Sequence, residues 1–286
     1  MGKKIVITGS DGFIGRVLTS KLIEKGYAIT EFNLNHGDIT KTNLDFPGID
    51  HIFHLAGKTF IPESWVNPVP FFEVNALGTL RILEFCRKQN VSLTYISAYV
   101  YGIPRYLPVN EDHPVSPFNP YTHSKIVAEE LCEFYRKNHK MKIAVIRPFN
   151  IYGPGQSDFF LIPLIIGQLL DKSKKFIELQ DLSPKRDYLY IDDLIDALVL
   201  LFEKNKFDTY NIGSGISYSV KEIADCIFKQ AGISKKIITA NNIRKNEIPD
   251  VVADITKINR DTGWKPKISF EEGIRRILHR YSATIL

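Results

Sequence analysis

KKIVITGSDGFIG, residues 3–15, decides how the rest of the chain is read. Ile5, Val6 and Ile7 form a β-branched run, too short for a helix and suited to a strand buried on both faces. Thr8-Gly9-Ser10-Asp11-Gly12-Phe13-Ile14-Gly15 follows at once, and Arg16 to Leu22 has the spacing of an amphipathic helix. A strand, a glycine turn and a helix start, in that order, make a phosphate cradle. The glycines let the backbone turn tightly and approach an anion, which the free N–H groups and dipole of the helix attract. The spacing is G-x-x-G-x-x-G, and its place directly after a buried strand is what separates it from a chance loop.

Outward from this stretch, Gly26 ends the first helix and Tyr27 to Phe32 reads as a second strand, with Asn33 at its end. Asp50 to Leu55 gives a third strand that runs into Ala56-Gly57-Lys58-Thr59-Phe60, where small residues leave room for a ligand beside the backbone. His51 and His54 alternate there with apolar residues. With no third donor nearby they read as satisfied core or edge histidines, and no metal site is expected. Phe71 to Asn90 has helical periodicity, Val91 to Ile96 is a fourth strand, and Ser97-Ala98-Tyr99 closes it. Pro104 to Pro120 reads as a surface loop, Tyr121 to His139 as a helix, and Lys142 to Ile146 as a strand leading into Arg147-Pro148-Phe149-Asn150.

Past Gly155 the segments shorten. A helix is expected near Leu161 to Leu170, a strand near Phe176 to Leu179, and a loop through Pro184 to Asp187. A helix from Asp192 to Glu203 and a strand from Thr209 to Ile212 return to the main sheet, while Ser219 to Gln230, Lys236 to Ala240 and Glu271 to Tyr281 belong to a smaller lobe. This alternation predicts an α/β fold: a Rossmann-type doubly wound parallel sheet with a smaller α/β lobe, and ligands at the carboxyl ends of the strands. The expected dinucleotide-binding domain is 1–155, with 188–213 returning to it; 156–187 and 214–286 form the substrate lobe.

Across 286 residues, 44% are hydrophobic and 24% charged, which suits a globular protein. The net charge of +5 is spread without a basic block, so no nucleic-acid partner is expected, and an anionic small molecule fits the mild positive field. Cys86, Cys132 and Cys226 are isolated in helix-like segments and read as free thiols of a reducing compartment. Met1 to Lys4 runs straight into the first strand, and Phe159 to Leu170 is too short to span a bilayer and is broken by Pro163 and Gly167. A cytoplasmic protein without a membrane partner is expected.

Tyr121 and Lys125, in YTHSK, stand at i and i+4 of a helix and so on one face. A free tyrosine, with a pKa near 10, is a poor acid–base group at neutral pH; an adjacent ammonium stabilises the phenolate and lowers that value. A Y-x-x-x-K alone is also an ordinary surface pair. Here it keeps company with a nucleotide cradle and with Ser97 at a strand end, whose hydroxyl can bond the same substrate oxygen.

TGSDGFIG, HLAG, NALGT (Asn75 to Thr79), SAYVYG, YTHSK, RPFNIYGPG, KRDYLYIDD and TGWKP together resemble the extended short-chain dehydrogenase/reductases that act on nucleotide sugars. The resemblance covers essentially the whole chain. It implies Ser97, Tyr121 and Lys125 as catalytic: hydride moves between a sugar carbon and a nicotinamide while Tyr121 passes the hydroxyl proton, and Lys125 also holds the nicotinamide ribose. It implies NAD(P) bound by Gly9, Asp11, Gly12, Phe13, Ile14, Gly15, Asn33, Asp38, Ile39, Leu55, Ala56, Gly57, Asn75, Tyr121, Lys125 and Pro148. Asn33 can bond a ribose hydroxyl but lacks the charge that repels a 2′-phosphate, so NAD against NADP stays open. Asp38 stands either where relatives hold the adenine amine or as a turn residue after Gly37.

The same resemblance places a nucleotide sugar against Lys58, Thr59, Ser97, Tyr99, Asn150, Arg186 and Arg244, with Asn150 and the two arginines on the diphosphate, for which the planar guanidinium fork is suited. Dehydrating members carry an acidic pair just after the Ser/Thr; Ala98 and Tyr99 occupy those places, so dehydration is disfavoured. KTFIPESWVNP, GPGQSDF followed by PKRDY, and RKNEIPD leading to TGWKP resemble the GDP-4-keto-6-deoxymannose reductases. The expectation is 4-ketoreduction of a 4-keto-6-deoxy nucleotide sugar, with 4-epimerisation as the alternative. A non-catalytic cofactor-sensing regulator is the reading outside enzymology, and the retained Tyr121 and Lys125 speak against it. A homodimer, paired through the helices around Phe72 to Asn90 and Tyr121 to His139, is a further implication of the family.

Overall fold

Ile5, Val6 and Ile7 are fully buried. A computed structural model, which describes residues 2–240 and 247–285, places them in β1 (Lys4–Thr8), paired in parallel with β2 (Ala28–Phe32) and β3 (His51–His54). β4 (Ser92–Ile96), β5 (Ile143–Pro148) and β9 (Thr209–Ile212) extend the sheet in the order β2-β1-β3-β4-β5-β9, every pairing parallel. Side chains along β1 alternate between the two faces. Ile5 and Ile7 pack with Leu18 and Leu22 of α1 (Phe13–Glu24) and Leu194 and Leu198 of α7 (Ile191–Glu203). Val6 packs on the other face with Ile82 and Leu83 of α4 (Gly78–Gln89) and Ala128 and Cys132 of α5 (Pro120–His139). The chain turns from β2 back across β1 to β3, and this reversal opens a crevice at the strands' carboxyl ends.

The single helix expected over 71–90 is three pieces. α3 (Val69–Phe72) passes into a π-helical turn, Glu73–Leu77, and then into α4; a further short helix, α2 (Ile61–Val66), precedes them. α5 begins one residue earlier than Tyr121. Asn119 caps it by accepting the Thr122 N–H at 2.8 Å, and Pro120 takes the first helical position, where a missing N–H costs nothing.

The second part of the chain departs from expectation at 184–187. Lys185–Tyr190 is a strand, β8, between β6 (Asn150–Tyr152, parallel) and β10 (Ser217–Ser219, antiparallel). Its charged start, Lys-Arg-Asp, hides a strand on which Asp187 is fully buried. α6 (Leu161–Leu170) lies near β7 (Phe176–Leu179), which pairs in parallel with β11 (Lys236–Thr239). α8 (Val220–Ala231) starts on a capping box between Ser219 and Glu222, and α9 (Thr256–Thr262) and α10 (Phe270–Ile285) complete the fold.

His51 bonds Ser92 Oγ at 2.8 Å and Thr94 Oγ1 at 3.0 Å, and so is a satisfied core histidine. Cys86 and Cys132 are buried free thiols; Cys226, also free, is half-buried. Among the described residues no helix is long and apolar enough to cross a membrane.

Candidate active site

The glycines of the turn after β1 each meet a different constraint. Gly9 is left-handed (φ +69°), donates its N–H to the Phe32 carbonyl at 2.7 Å, and lies so close to the end of β3 that a Cβ would stand 2.8 Å from Ala56 N. Gly12 caps α1 and donates to the Gly9 carbonyl at 3.1 Å. Gly15 sits in the first turn, where a Cβ would stand 2.2 Å from the Gly9 oxygen. The turn is therefore drawn tightly under the helix start. Phe13 and Ile14 are half-buried there and Asp11 is exposed, and the first turn holds no acidic residue to compete for its free N–H groups. These residues fit a dinucleotide pyrophosphate.

At the end of β2, Asn33 Nδ2 donates to Ser10 Oγ at 3.3 Å while its Oδ1 accepts the Asn35 N–H at 3.0 Å. Asp38 accepts the Thr40 N–H at 2.8 Å and hydroxyl at 2.7 Å, and these bonds hold its carboxyl below the usual range. Ile39 is buried against Gly78, and its carbonyl accepts from Arg81 Nε at 3.0 Å. Asp38 thus closes a turn onto Thr40.

At the end of β3, the Leu55 N–H bonds the Thr8 carbonyl at 3.1 Å and the Ala56 N–H bonds Thr8 Oγ1 at 3.2 Å. Asn75, carried inward by the π-helical turn, accepts the Lys58 N–H at 2.9 Å and donates to the Lys58 carbonyl at 3.1 Å and to Ser124 Oγ at 2.9 Å. It holds the 56–59 segment as a neighbouring strand would. A Cβ on Gly57 would stand 2.9 Å from Asn75 Oδ1 and 3.5 Å from Lys125 Nζ, so three elements meet here. Beneath them the buried His54 bridges Thr8 Oγ1 (2.7 Å) and Thr79 Oγ1 (3.0 Å), and Thr79 in turn donates to the Asn75 carbonyl at 2.6 Å. Lys58 Nζ pairs with Glu63 at 2.9 Å, and Thr59 is exposed.

Ser97, one residue beyond β4, is buried, and its hydroxyl has no partner among the described residues. Its N–H bonds the Ile146 carbonyl at 2.7 Å. Lys125 is buried one helical turn from Tyr121, donates to the Ile96 carbonyl at 2.7 Å, and lies 4.8 Å from the centre of the Tyr95 ring. Burial pushes the Lys125 ammonium down to about 8, against a smaller upward pull from Glu129. Burial pushes the Tyr121 phenol up. The expected lowering of Tyr121 is therefore not found: desolvation acts on the phenolate, and the ammonium that would offset it is itself desolvated and bonded to Ile96. Tyr121 is a protonated donor at neutral pH.

On the opposite side, Tyr99 donates to the Gly102 carbonyl at 2.8 Å and packs edge-on against Tyr101 and Phe149. Asn150 Nδ2 reaches the Asp187 carbonyl at 3.4 Å, and Pro148 is buried at the end of β5. The Arg186 guanidinium donates to the Lys185 and Ile248 carbonyls at 2.8 and 2.6 Å and forms an ion pair with Glu247. That partner has no local signal in the sequence. Arg244 lies outside the described residues.

Residues 30–277 match the family model of the GDP-mannose 4,6 dehydratases. The chain belongs to that family. One relative of this extended dehydrogenase/reductase, a putative UDP-glucose 4-epimerase of Methanocaldococcus jannaschii, is 33% identical, with 96% of this chain and 97% of the relative covered. A GDP-6-deoxy-D-mannose reductase of Pseudomonas aeruginosa is 28% identical over 100% of this chain and 99% of its own. The solved structure of RMD from Pseudomonas aeruginosa complexed with NADPH superposes with a TM-score of 0.90 at 29% identity, covering 99% of both chains. Members of the family are NAD(P)-dependent enzymes of the extended short-chain dehydrogenase/reductase type, and the parallel Rossmann-type sheet of this chain matches that of its structural neighbours.

Proposed function

We propose that this enzyme reduces the 4-keto group of a nucleotide-linked 4-keto-6-deoxyhexose. The two residues after Ser97 speak against dehydration. Ala98 is apolar and the Tyr99 hydroxyl is committed to Gly102, so no carboxylate stands there to draw water out of a sugar ring. What remains is a donor pair: the protonated Tyr121 and the unpartnered Ser97 hydroxyl, beside the buried Lys125.

Bound NAD(P)H supplies the hydride that a ketone carbon accepts. Ser97 bonds the ketone oxygen and polarises it, and Tyr121 gives that oxygen its proton as the hydroxyl forms. Lys125 holds the ribose beside the nicotinamide. The glycine turn takes the pyrophosphate. Arg186 and Arg244, in a lobe of residues 156–187 and 214–286, take the sugar-nucleotide diphosphate together with Asn150, and Lys58, Thr59 and Tyr99 stand around the sugar. The same donors serve a 4-epimerase, a second reading favoured by the epimerase relative at 33% identity.

The exposed Leu77, at the end of the π-helical turn that leads into α4, and Phe134 of α5, 55% and 53% accessible, support a homodimer through those helices, to be read from the mass in solution. A cytoplasmic setting agrees with a nucleotide-sugar substrate.

The deciding experiment mixes the protein with NADPH or NADH and a panel of 4-keto-6-deoxy nucleotide sugars and follows the absorbance of the reduced nicotinamide. Stoichiometric loss with one sugar supports reduction. No net loss, together with interconversion of a 4-hydroxyl pair, moves the assignment to epimerisation.

A further inference from the structure

One helical turn beyond Lys125 on α5, Glu129 is buried and accepts from Arg147 of β5: Nε at 3.1 and 3.0 Å, Nη2 at 2.6 Å. Arg147 Nη1 donates to the Tyr101 hydroxyl at 2.8 Å, and that hydroxyl donates to Asn211 Oδ1 on β9 at 2.6 Å. Asn211 Nδ2 continues to the Val109 carbonyl at 2.9 Å. Val109 pairs as a short bridge with Ala253, its N–H reaching the Val252 carbonyl at 2.7 Å and its carbonyl taking the Asp254 N–H at 2.8 Å. Ala253 N–H then donates to Asp187 Oδ2 at 3.0 Å, and Asp187 is the neighbour of Arg186 on β8.

Every link is inside the protein. Tyr101, Val109, Asn211 and Asp187 are completely buried, and Ala253 is 2% accessible. Besides this bond from Ala253, the Asp187 carboxylate accepts from the Ser214 N–H and hydroxyl (2.6 and 2.7 Å) and the Gly215 N–H (2.9 Å), which fix it in place. Nothing in the chemistry of Tyr121 and Lys125 requires this series of bonds. It runs from the helix that carries them to the strand that carries Arg186, across segments far apart in sequence.

We infer that Tyr101 is a positioning residue: its hydroxyl, between Arg147 and Asn211, joins the helix carrying Tyr121 and Lys125 to the strand that receives the nucleoside diphosphate, and sets the distance between the two. Tyr101 touches neither ligand and acts through Arg147 on one side and Asn211 on the other. A buried network of this kind is strict because each removed partner leaves another group unpaired. The assignment of β8 to the diphosphate rests on the proposed function; the physical join does not.

Two measurements on the full chain separate these. Hydrogen exchange of wild type and Tyr101→Phe reports the join directly. Loss of protection is expected at Val109 and at Ala253 and Asp254, far along the series from the altered ring. Protection lost only around residues 99–103 would overturn the inference. In the second, calorimetric titration with GDP, UDP and NADPH is expected to show Tyr101→Phe weakening the nucleoside diphosphate that wild type binds by about fivefold to tenfold, with NADPH within twofold. A merely structural role would weaken both alike or neither, and either result rejects the inference. If wild type binds no nucleoside diphosphate, the proposed function fails while exchange still decides on the join. Should Tyr101→Phe not fold, Asn211→Asp keeps the acceptor for Tyr101 and removes the donor to Val109, and the same exchange pattern is required of it.

Discussion

Lys125 Nζ donates to the carbonyl of Ile96 at 2.7 Å, which pins the ammonium to the strand end that also presents Ser97. Burial outweighs the upward pull of Glu129, so the ammonium is pushed down to about 8 from its ordinary 10.5. Turnover is expected to fall as pH rises through about 8, as the charge is lost. A kcat profile flat to about pH 9.5 would remove the ammonium from the mechanism. Between the two values the unfolded chain holds the proton more tightly than the native one. The charged lysine therefore destabilises the fold fully below pH 8, and the penalty is relieved as pH rises towards 10.5. Lys125→Met is expected to lose turnover and, in denaturant unfolding at neutral pH, to gain stability on the order of 1–3 kcal/mol.

Ser97→Ala removes a buried hydroxyl that bonds nothing among the described residues. Its melting temperature is expected to be unchanged or higher, because no partner is orphaned, while kcat falls about 10- to 100-fold. A drop in melting temperature of several degrees would mean that the hydroxyl has an internal partner after all.

Gly15→Ala and Gly167→Ala form a pair with opposite outcomes. A Cβ at 15 would stand 2.2 Å from the Gly9 backbone oxygen, which cannot yield without moving the turn, whereas at 167, in α6, nothing lies within 4 Å. Calorimetry and NADPH titration are expected to show Gly15→Ala destabilised by about 1–3 kcal/mol and at least tenfold weaker in cofactor binding. Gly167→Ala is expected to be stabilised by about 0.5–1 kcal/mol, with binding unchanged.

His54 carries an acid prediction. Burial, with a smaller push from Lys125, takes its pKa down to about 3, while both ring nitrogens are spent on Thr8 and Thr79. The unfolded chain binds the proton first, so this contribution to stability is complete above about pH 6.5 and is lost as pH falls towards 3. Denaturant unfolding from about pH 7 to 4 should show His54→Gln less stable than wild type at the neutral end, with the gap closing by up to about 1.4 kcal/mol per pH unit on acidification. A constant gap would mean that His54 is protonated in the native state.

The parallel α/β sheet, the cradle after β1 and the placement of Tyr121 and Lys125 on one helix were all determined by the sequence itself. Each is a local signal: a β-branched run, a glycine at a positive φ, an i, i+4 spacing. Tertiary structure alone decided the rest. It showed Lys185–Tyr190 as a strand, because its pairing partners lie on β6 and β10. It turned Asn75 onto Lys58 through a π-helical turn that 3.6-residue periodicity does not mark. Glu247 was set against Arg186, and Tyr101 between Arg147 and Asn211, over separations that carry no trace in the neighbouring residues. Tyr121 was raised rather than lowered for the same reason. A pKa answers to all the atoms that displace water from a group, and those come together only when the chain has folded.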